Sequence, residues 1–252
     1  MNDIPLVLRE DADGICTLTL NRPEKRNAVN RQLFREFRAH VRDIEKDGAA
    51  IGVLVITGAG GHFCAGHDLK QAPHADALGW LRQEMLTLER LTKLSQPVIA
   101  KVQGSCYTGG LEFALSADLI VCGGSAKFAD THGKWGLVPG WGLSQRLPRR
   151  IGQAKALEMM LTCQAYTGAE AAAMGLANNC VPDKALDAKV GELAALMAGN
   201  SHHSNAANKR LVYDTDGMTL GTGLSHELMR NAGFDPEMRK RGDPIGGSGE
   251  KG

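Results

Sequence analysis

Two short runs of apolar, mostly β-branched residues constrain the fold of this chain more than any other sequence feature. They occupy residues 51–57 (IGVLVIT) and 98–102 (VIAKV). A run that is apolar at nearly every position is typical of a strand buried on both faces. A glycine-rich loop and then a helical pattern follow each run. The sequence therefore predicts a layered α/β domain with parallel strand pairing.

Periodicity and turn signals predict the remaining elements of the first half. Residues 6–9 and 15–20 flank Asp13-Gly14, which indicates a β-hairpin. Apolar residues at helical spacing behind a capping Asn30 predict a helix over 30–46. Further elements follow by the same criteria: a helix at 78–94, a buried helix beginning near Gly110, and strands at 119–122 and 127–129.

After Pro139 the pattern predicts helices only. Thr167 with Glu170 forms a capping-box signature at the start of one of them. The predicted segments are 154–161, 169–174, 183–198, 204–212 and 223–231. We expect an α/β core over residues 1–190, a helical C-terminal region over 191–240, and a disordered glycine-rich tail over 241–252.

Composition and charge exclude several functional classes. Of the 252 residues, 43% are hydrophobic and 23% charged, and the formal net charge is +1, which gives no global field for nucleic acid or an acidic membrane. The first residues lack a signal-peptide pattern, and no apolar run reaches the roughly 18 residues of a membrane span. Six scattered cysteines without a CxxC pair predict reduced thiols in a cytosolic protein.

Two glycine-rich loops, 58–70 and 104–110, each follow a predicted buried strand. Ligands collect at the carboxyl ends of parallel strands, and glycine allows close approach of the backbone. Backbone N–H groups from both loops could therefore form an oxyanion hole. The alternative is that these glycines only make tight turns.

Glu112 and His132 are the candidate acid/base residues. Glu112 lies in the first turn of a helix that is otherwise apolar on nearly every side (LEFALSA). It is either a general base or acid with a raised pKa, or a structural cap that complements the helix dipole. His132 lies in a loop rich in glycine and proline, and its imidazole suits proton transfer near neutral pH. A purely structural role for His132 is the alternative.

Other chemistry-bearing motifs carry less weight. His62, Cys64 and His67 lie close together, but no second group completes a zinc-site spacing. The chain lacks the dinucleotide-binding, phosphate-loop and nucleophile-elbow patterns. The stretch around Cys106 (QGSCY) resembles the active-site segment of papain-type proteases, but it follows a buried strand deep inside an α/β segment.

Five ordered segments resemble the crotonase superfamily of enoyl-CoA hydratases and isomerases over residues 4–185. They read NRPEKRNAVN, VLVITGAGGHFCAGHDLK, QPVIAKVQGSCYTGGLEFALSADLIVCGGSAKFAD, GLVPGWGLSQRLPRRIG and LTCQAYTGAEAAAMGLANNCVP. The resemblance implies an α/β fold: a crotonase-like spiral of strand-strand-helix repeats with a C-terminal helical trimerisation region. It also implies a homotrimer or a dimer of trimers.

The same resemblance implies the substrate and the residues that bind it. The thioester carbonyl of an acyl-CoA would be held by the backbone N–H groups of His67 and Gly109. Residues implied to line the CoA and thioester passage are Lys25, Arg26, Ala65, Asp68, Leu69 and Lys70, of which the first two would lie near the CoA phosphates. No metal or redox cofactor is expected, because CoA is part of the substrate.

Hydratases of this superfamily use two glutamates around one water. Glu112 occupies the first of these positions, and His132 stands where the second glutamate is expected. The histidine could deliver the proton to the α-carbon, hold the water, or indicate a different reaction. The leading hypothesis is hydration of a trans-2-enoyl-CoA. The alternatives are double-bond isomerisation or other enolate chemistry on an acyl-CoA, and a non-catalytic acyl-CoA-binding homologue.

Overall fold

The two apolar runs occupy the middle of a parallel sheet. The computed structural model describes residues 4–71 and 77–235. The strands in this part of the chain are β1 (Val7–Ala12), β2 (Ile15–Leu20), β3 (Val53–Gly58), β4 (Val98–Val102), β5 (Ser105–Tyr107), β6 (Leu119–Gly123), β7 (Lys127–Ala129), β8 (Tyr166–Thr167) and β9 (Asn179–Val181). The larger sheet has the order β1-β2-β3-β4-β6-β9, and the smaller one has the order β5-β7-β8.

Helices cover both faces of the larger sheet. They are α1 (Arg31–Asp47), α2 (Ala77–Thr92), α3 (Gly109–Leu115), α4 (Leu143–Ile151), α5 (Gln153–Thr162), α6 (Gly168–Ala173), α7 (Leu186–Gly199), α8 (His202–Asp214) and α9 (Leu220–Met229). Val53 and Val55 of β3 pack with Val190 of α7, whereas Leu54 and Ile56 belong to the larger core shared with α1, α2 and α3. This alternation explains why β3 is buried at every position, since successive side chains point to opposite, equally buried faces.

The predicted parallel pairing is confirmed. β1 and β2 form the antiparallel hairpin around Asp13-Gly14, and the β2–β3, β3–β4, β4–β6 and β6–β9 pairs are all parallel. The Asn30 side chain caps α1 by accepting from the N–H of Leu33, and Thr167 and Glu170 form the predicted capping box. The glycine-rich loops thus follow the carboxyl ends of β3 and β4, on one edge of the sheet.

The prediction of helices only after Pro139 is wrong. β8 pairs with β7, and β9 extends the larger sheet beside β6. These strands have two and three residues, which is too short for a period-two pattern to develop. The short β5 and the helix α4 were also not predicted, and Pro148 inside α4 interrupts the usual helical signal there.

The predicted division of the chain at residue 190 falls inside α7. The predicted tail over 241–252 lies outside the described residues. All six cysteines are free thiols, and five of them are buried. Within the described ranges, none of the helices has both the length and the apolar character that crossing a bilayer requires.

Candidate active site

A cavity of about 380 Å³ opens at the carboxyl ends of β3 and β4. Six residues singled out from the sequence line it together: Ala65, His67, Leu69, Gly109, Glu112 and His132. Much of the remaining wall is apolar and is formed by Trp80, Leu81, Trp135, Leu137, Val138 and Trp141. A few polar groups converging in an otherwise apolar cavity are typical of a small-molecule site.

The backbone N–H groups of His67 and Gly109, the two candidate oxyanion donors, are both left free by the contacts that fix their segments. Val29 pairs with His67 through a parallel bridge, in which its N–H donates to Gly66 O (2.8 Å) and its carbonyl accepts from the Asp68 N–H (2.8 Å). Because both bonds use the neighbours of His67, the N–H of His67 points away from Val29. Gly109 is the first residue of α3, so its N–H has no intrahelical partner.

Close backbone packing explains why glycine is needed beside the cavity. A Cβ on Gly109 would lie 2.7 Å from the Trp141 ring, and a Cβ on Gly110 would lie 2.2 Å from the carbonyl oxygen of Cys64. Thr108, immediately before them, has a φ of 47°, a conformation that is strained for a β-branched residue. The loop after β3 therefore packs directly on the start of α3.

Glu112 is held by two backbone donors, one just before α4 and one at its first residue. Its side chain is buried with 2% exposure, and Oε1 accepts hydrogen bonds from the N–H groups of Trp141 (2.8 Å) and Leu143 (3.0 Å). Leu143 is the first residue of α4, so the carboxylate also lies at the positive end of that helix. Glu112 therefore caps α4 and not its own helix α3, and its side chain also lines the cavity.

Burial raises the pKa of Glu112 above its ordinary value. The two backbone hydrogen bonds and the nearby His132 act in the opposite direction, and Asp130 adds to the increase. A carboxylate with a raised pKa in a cavity is a candidate general base or acid.

His132 is oriented by a carboxylate that sequence reasoning missed. Its Nδ1 lies 2.6 Å from Oδ1 of Asp130, and its backbone N–H donates to the same oxygen at 3.1 Å. Asp130 is buried with 2% exposure, so the pair is fixed from the protein side while His132 lines the cavity. The signal was the position of Asp130, at the end of β7 and two residues before the histidine.

A third carboxylate, Glu84 of α2, lies behind the cavity wall and was also missed. It is fully buried, and its Oε2 accepts a hydrogen bond from the indole N–H of Trp141 at 2.9 Å. Its Oε1 is 3.4 Å from Nε2 of His67. The sequence did carry a signal, because Glu84 shares the apolar face of α2 with Leu81 and Leu88 at spacings of three and four residues.

The residues expected at the CoA passage fall into two groups. Lys25, Arg26 and Lys70 are exposed. The carbonyl of Arg26 accepts from the Ala65 N–H (3.0 Å), which places that turn beside the loop that contains His67. Asp68 instead forms an ion pair with Arg22 at 3.1 Å, and both side chains are largely buried. Asp68 therefore stabilises the loop from behind.

The alternative chemistries weighed from the sequence find little support. Nδ1 of His62 accepts from the Ser105 N–H, the Cys64 thiol donates to a backbone carbonyl, and His67 faces Glu84. Across residues 4–71 and 77–235, no group of three or more His, Cys, Asp or Glu side chains is placed to hold a metal ion. Cys106 is fully buried, and this burial raises the pKa of its thiol well above the ordinary value, which disfavours a nucleophilic thiolate.

The chain matches a known protein family over most of its length. A family model described as "Enoyl-CoA hydratase/isomerase" matches residues 10–242. The chain belongs to the enoyl-CoA hydratase/isomerase family. The resemblance drawn from the five ordered segments is therefore confirmed.

Relatives of this family align over most of the chain. A protein of Arabidopsis thaliana named "Probable enoyl-CoA hydratase 1, peroxisomal" is 30% identical over 97% of this chain and 94% of its own length. An enoyl-CoA hydratase of Mycobacterium tuberculosis is 36% identical over 85% of this chain and 82% of its own. The crystal structure of an enoyl-CoA hydratase from Bacillus anthracis superposes with a TM-score of 0.86 at 30% identity, covering 90% of this chain and 89% of that one. The predicted crotonase fold is confirmed.

Proposed function

We propose that this family member is an enoyl-CoA hydratase, which adds water reversibly to a trans-2-enoyl-CoA to give a 3-hydroxyacyl-CoA. One observation carries the proposal: a buried carboxylate with a raised pKa, Glu112, lines the same cavity as His67 and Gly109, whose backbone N–H groups are the candidate oxyanion donors. The relatives that are named enoyl-CoA hydratases support it. A role in fatty-acid metabolism would follow from this activity.

In the proposed mechanism Glu112 removes a proton from water, and the resulting hydroxide adds to C3 of the enoyl group. The electron pair of the double bond moves to the thioester oxygen, which the N–H groups of His67 and Gly109 stabilise as an enolate. His132, in its protonated form and oriented by Asp130, then delivers a proton to the α-carbon. A proton passes from Glu112 to His132 through solvent before the next cycle.

The direct test is turnover of crotonyl-CoA, followed by the loss of absorbance of the conjugated enoyl thioester. We expect hydration by the wild type and a roughly 10²–10⁴-fold lower kcat for His132→Ala, the usual contribution of a general acid or base. Full activity of His132→Ala would show that Glu112 works alone. Conversion of 3-enoyl-CoA but not 2-enoyl-CoA would indicate an isomerase. Binding of CoA esters without turnover would indicate a non-catalytic homologue.

We further propose that Lys25, Arg26 and Lys70 contact the phosphates of CoA, because these exposed cations lie on segments next to the loop that contains His67. Replacing each by alanine should raise KM and leave kcat within a few-fold. No metal or redox cofactor is needed in this scheme, since backbone dipoles stabilise the enolate. Turnover after dialysis against a chelator should therefore be unchanged.

We also propose a trimer or a dimer of trimers that forms through the C-terminal helices. Leu220, Leu224 and Leu228 recur every fourth residue of α9 and are 57–80% exposed, so they form one apolar face. Light scattering after size exclusion should give three or six copies, and Leu224→Glu should reduce that number. The free thiols support our proposal that the protein is cytosolic.

A further inference from the structure

Glu84 has an unusual environment for a carboxylate. It is fully buried in α2, its Oε2 is bonded to the Trp141 indole, and its Oε1 is buried without a hydrogen-bond partner, 3.4 Å from Nε2 of His67. Burying a charged group is costly unless it is paired and hydrogen-bonded. Neither the ordinary requirements of packing nor those of helix formation call for a carboxylate at this position.

Trp141 connects Glu84 to the candidate base. Its indole N–H donates to Glu84, while its backbone N–H donates to Oε1 of Glu112 at 2.8 Å. The Trp141 ring also leaves no space for a side chain on Gly109, where a Cβ would approach it to 2.7 Å. The orientation of this one residue therefore affects both the carboxylate of Glu112 and the wall behind Gly109.

His67 connects Glu84 to the other side of the site. Its backbone N–H is one of the two candidate oxyanion donors, and its imidazole packs edge-on against the Trp141 ring with centroids 5.4 Å apart. The Nε2 of this imidazole faces Oε1 of Glu84. A single carboxylate thus lies against both a residue of the oxyanion hole and the residue that holds the base.

We propose that Glu84 is a positioning residue, whose carboxylate holds Trp141 by a hydrogen bond and His67 by a close contact, so that Glu112 and the candidate oxyanion donors keep their relative geometry. The inference rests on the proposed function for its kinetic readout. Glu84 does not line the cavity, so it acts through these two residues and not on the substrate.

Two substitutions at this position separate hydrogen bonding from bulk. In Glu84→Gln the amide oxygen can still accept from the Trp141 indole, and we expect at least a third of the wild-type kcat. Glu84→Met has a similar volume but leaves a buried indole N–H without an acceptor. An unmade hydrogen bond of this kind corresponds to a roughly 5- to 150-fold effect, which we expect in kcat with KM changed less than about threefold. Glu89→Gln is the matched control, because Glu89 is a partly buried glutamate of the same helix that pairs with Lys93.

A spectroscopic signal distinguishes positioning from a loss of folded protein. Acetoacetyl-CoA carries an acidic α-carbon, and its enolate absorbs in the near ultraviolet when an oxyanion site stabilises it. We expect Glu84→Met to bind this probe with wild-type stoichiometry but with a smaller enolate fraction per bound molecule. Equal enolate absorbance per bound molecule together with wild-type kcat would overturn the proposal.

Trp141→Phe gives a second, independent variant if Glu84→Met fails to fold, because it removes the indole donor and leaves Glu84 in place. Trp141→Phe should lower kcat and the enolate fraction as Glu84→Met does. In the double variant, the loss of kcat should be smaller than the sum of the two single losses on a free-energy scale. Wild-type behaviour of Trp141→Phe would contradict the proposal. If the wild type hydrates no 2-enoyl-CoA, the proposed function fails, and the enolate signal of the same variants still decides the role of Glu84.

Discussion

Replacing Glu112 by Ala should destabilise the protein much more than replacing it by Gln, whereas both changes should impair catalysis equally. Gln keeps an oxygen that can accept from the N–H groups of Trp141 and Leu143, whereas Ala removes the acceptor of both. Each buried donor left unpaired costs about 1–3 kcal/mol, so Glu112→Ala should lose about 2–6 kcal/mol of unfolding free energy. Both variants lack the proposed base, and each should lose roughly 10²–10⁴-fold in kcat.

The difference in stability between Glu112→Gln and the wild type should change with pH in a defined direction. Because burial raises the pKa of Glu112, its contribution to stability is fully present below the unfolded pKa and is lost as the pH rises through the folded pKa. Gln cannot ionise. The stability of Glu112→Gln relative to wild type should therefore be more favourable at pH 7 than at pH 4.

Urea unfolding at both pH values and hydration of crotonyl-CoA measure these effects. The oligomeric state should be the same as that of the wild type in Glu112→Gln. Unchanged turnover in Glu112→Gln would remove Glu112 from the mechanism. Equal free energies of unfolding for the Gln and Ala variants would show that the two backbone hydrogen bonds do not contribute to stability.

Two further predictions concern the same cavity. Gly109→Ala places a Cβ 2.7 Å from the Trp141 ring, so the Gly109 N–H must move; kcat should fall roughly 10²–10³-fold, as for loss of one oxyanion donor. A correctly folded Gly109→Ala with wild-type kcat would exclude Gly109 from the oxyanion hole. Since burial raises the pKa of Glu112 above 4.5, the acidic limb of the kcat/KM profile should lie above that pH. An acidic limb centred at or below pH 4.5 would mean that a group other than Glu112 controls it.

Sequence reasoning located the backbone of the site better than its side-chain partners. Glycine-rich loops after buried strands point to one sheet edge, so the positions of His67 and Gly109 follow from local pattern and resemblance. The partners of Glu112, by contrast, are the N–H groups of Trp141 and Leu143, about thirty residues away. Almost any residue type can supply a backbone N–H, so the sequence does not predict these contacts.

Buried carboxylates were the main residues missed, for a related reason. Glu84 interrupts the apolar face of α2 and is recognisable as an anomaly, but its partner Trp141 lies fifty-seven positions further along the chain. The short strands β8 and β9 were not predicted from the sequence, because their pairing depends on neighbours in space and not on their own two or three residues. Tertiary contacts of this kind have no local signature.

Asp130 bears on the proposal that His132 takes the place of a second glutamate. Burial is the main reason that the pKa of Glu112 is raised; His132 lowers it, and Asp130 raises it. A lone imidazolium would make Glu112 a weaker base, and the adjacent Asp130 offsets that effect while it orients the ring. Asp130→Asn should therefore shift the acidic limb of the kcat/KM profile to lower pH. It should also reduce kcat by about 10- to 150-fold, since a charged hydrogen bond contributes about 1.5–3 kcal/mol. A limb that stays in place, or moves to higher pH, would show that Asp130 does not tune the base.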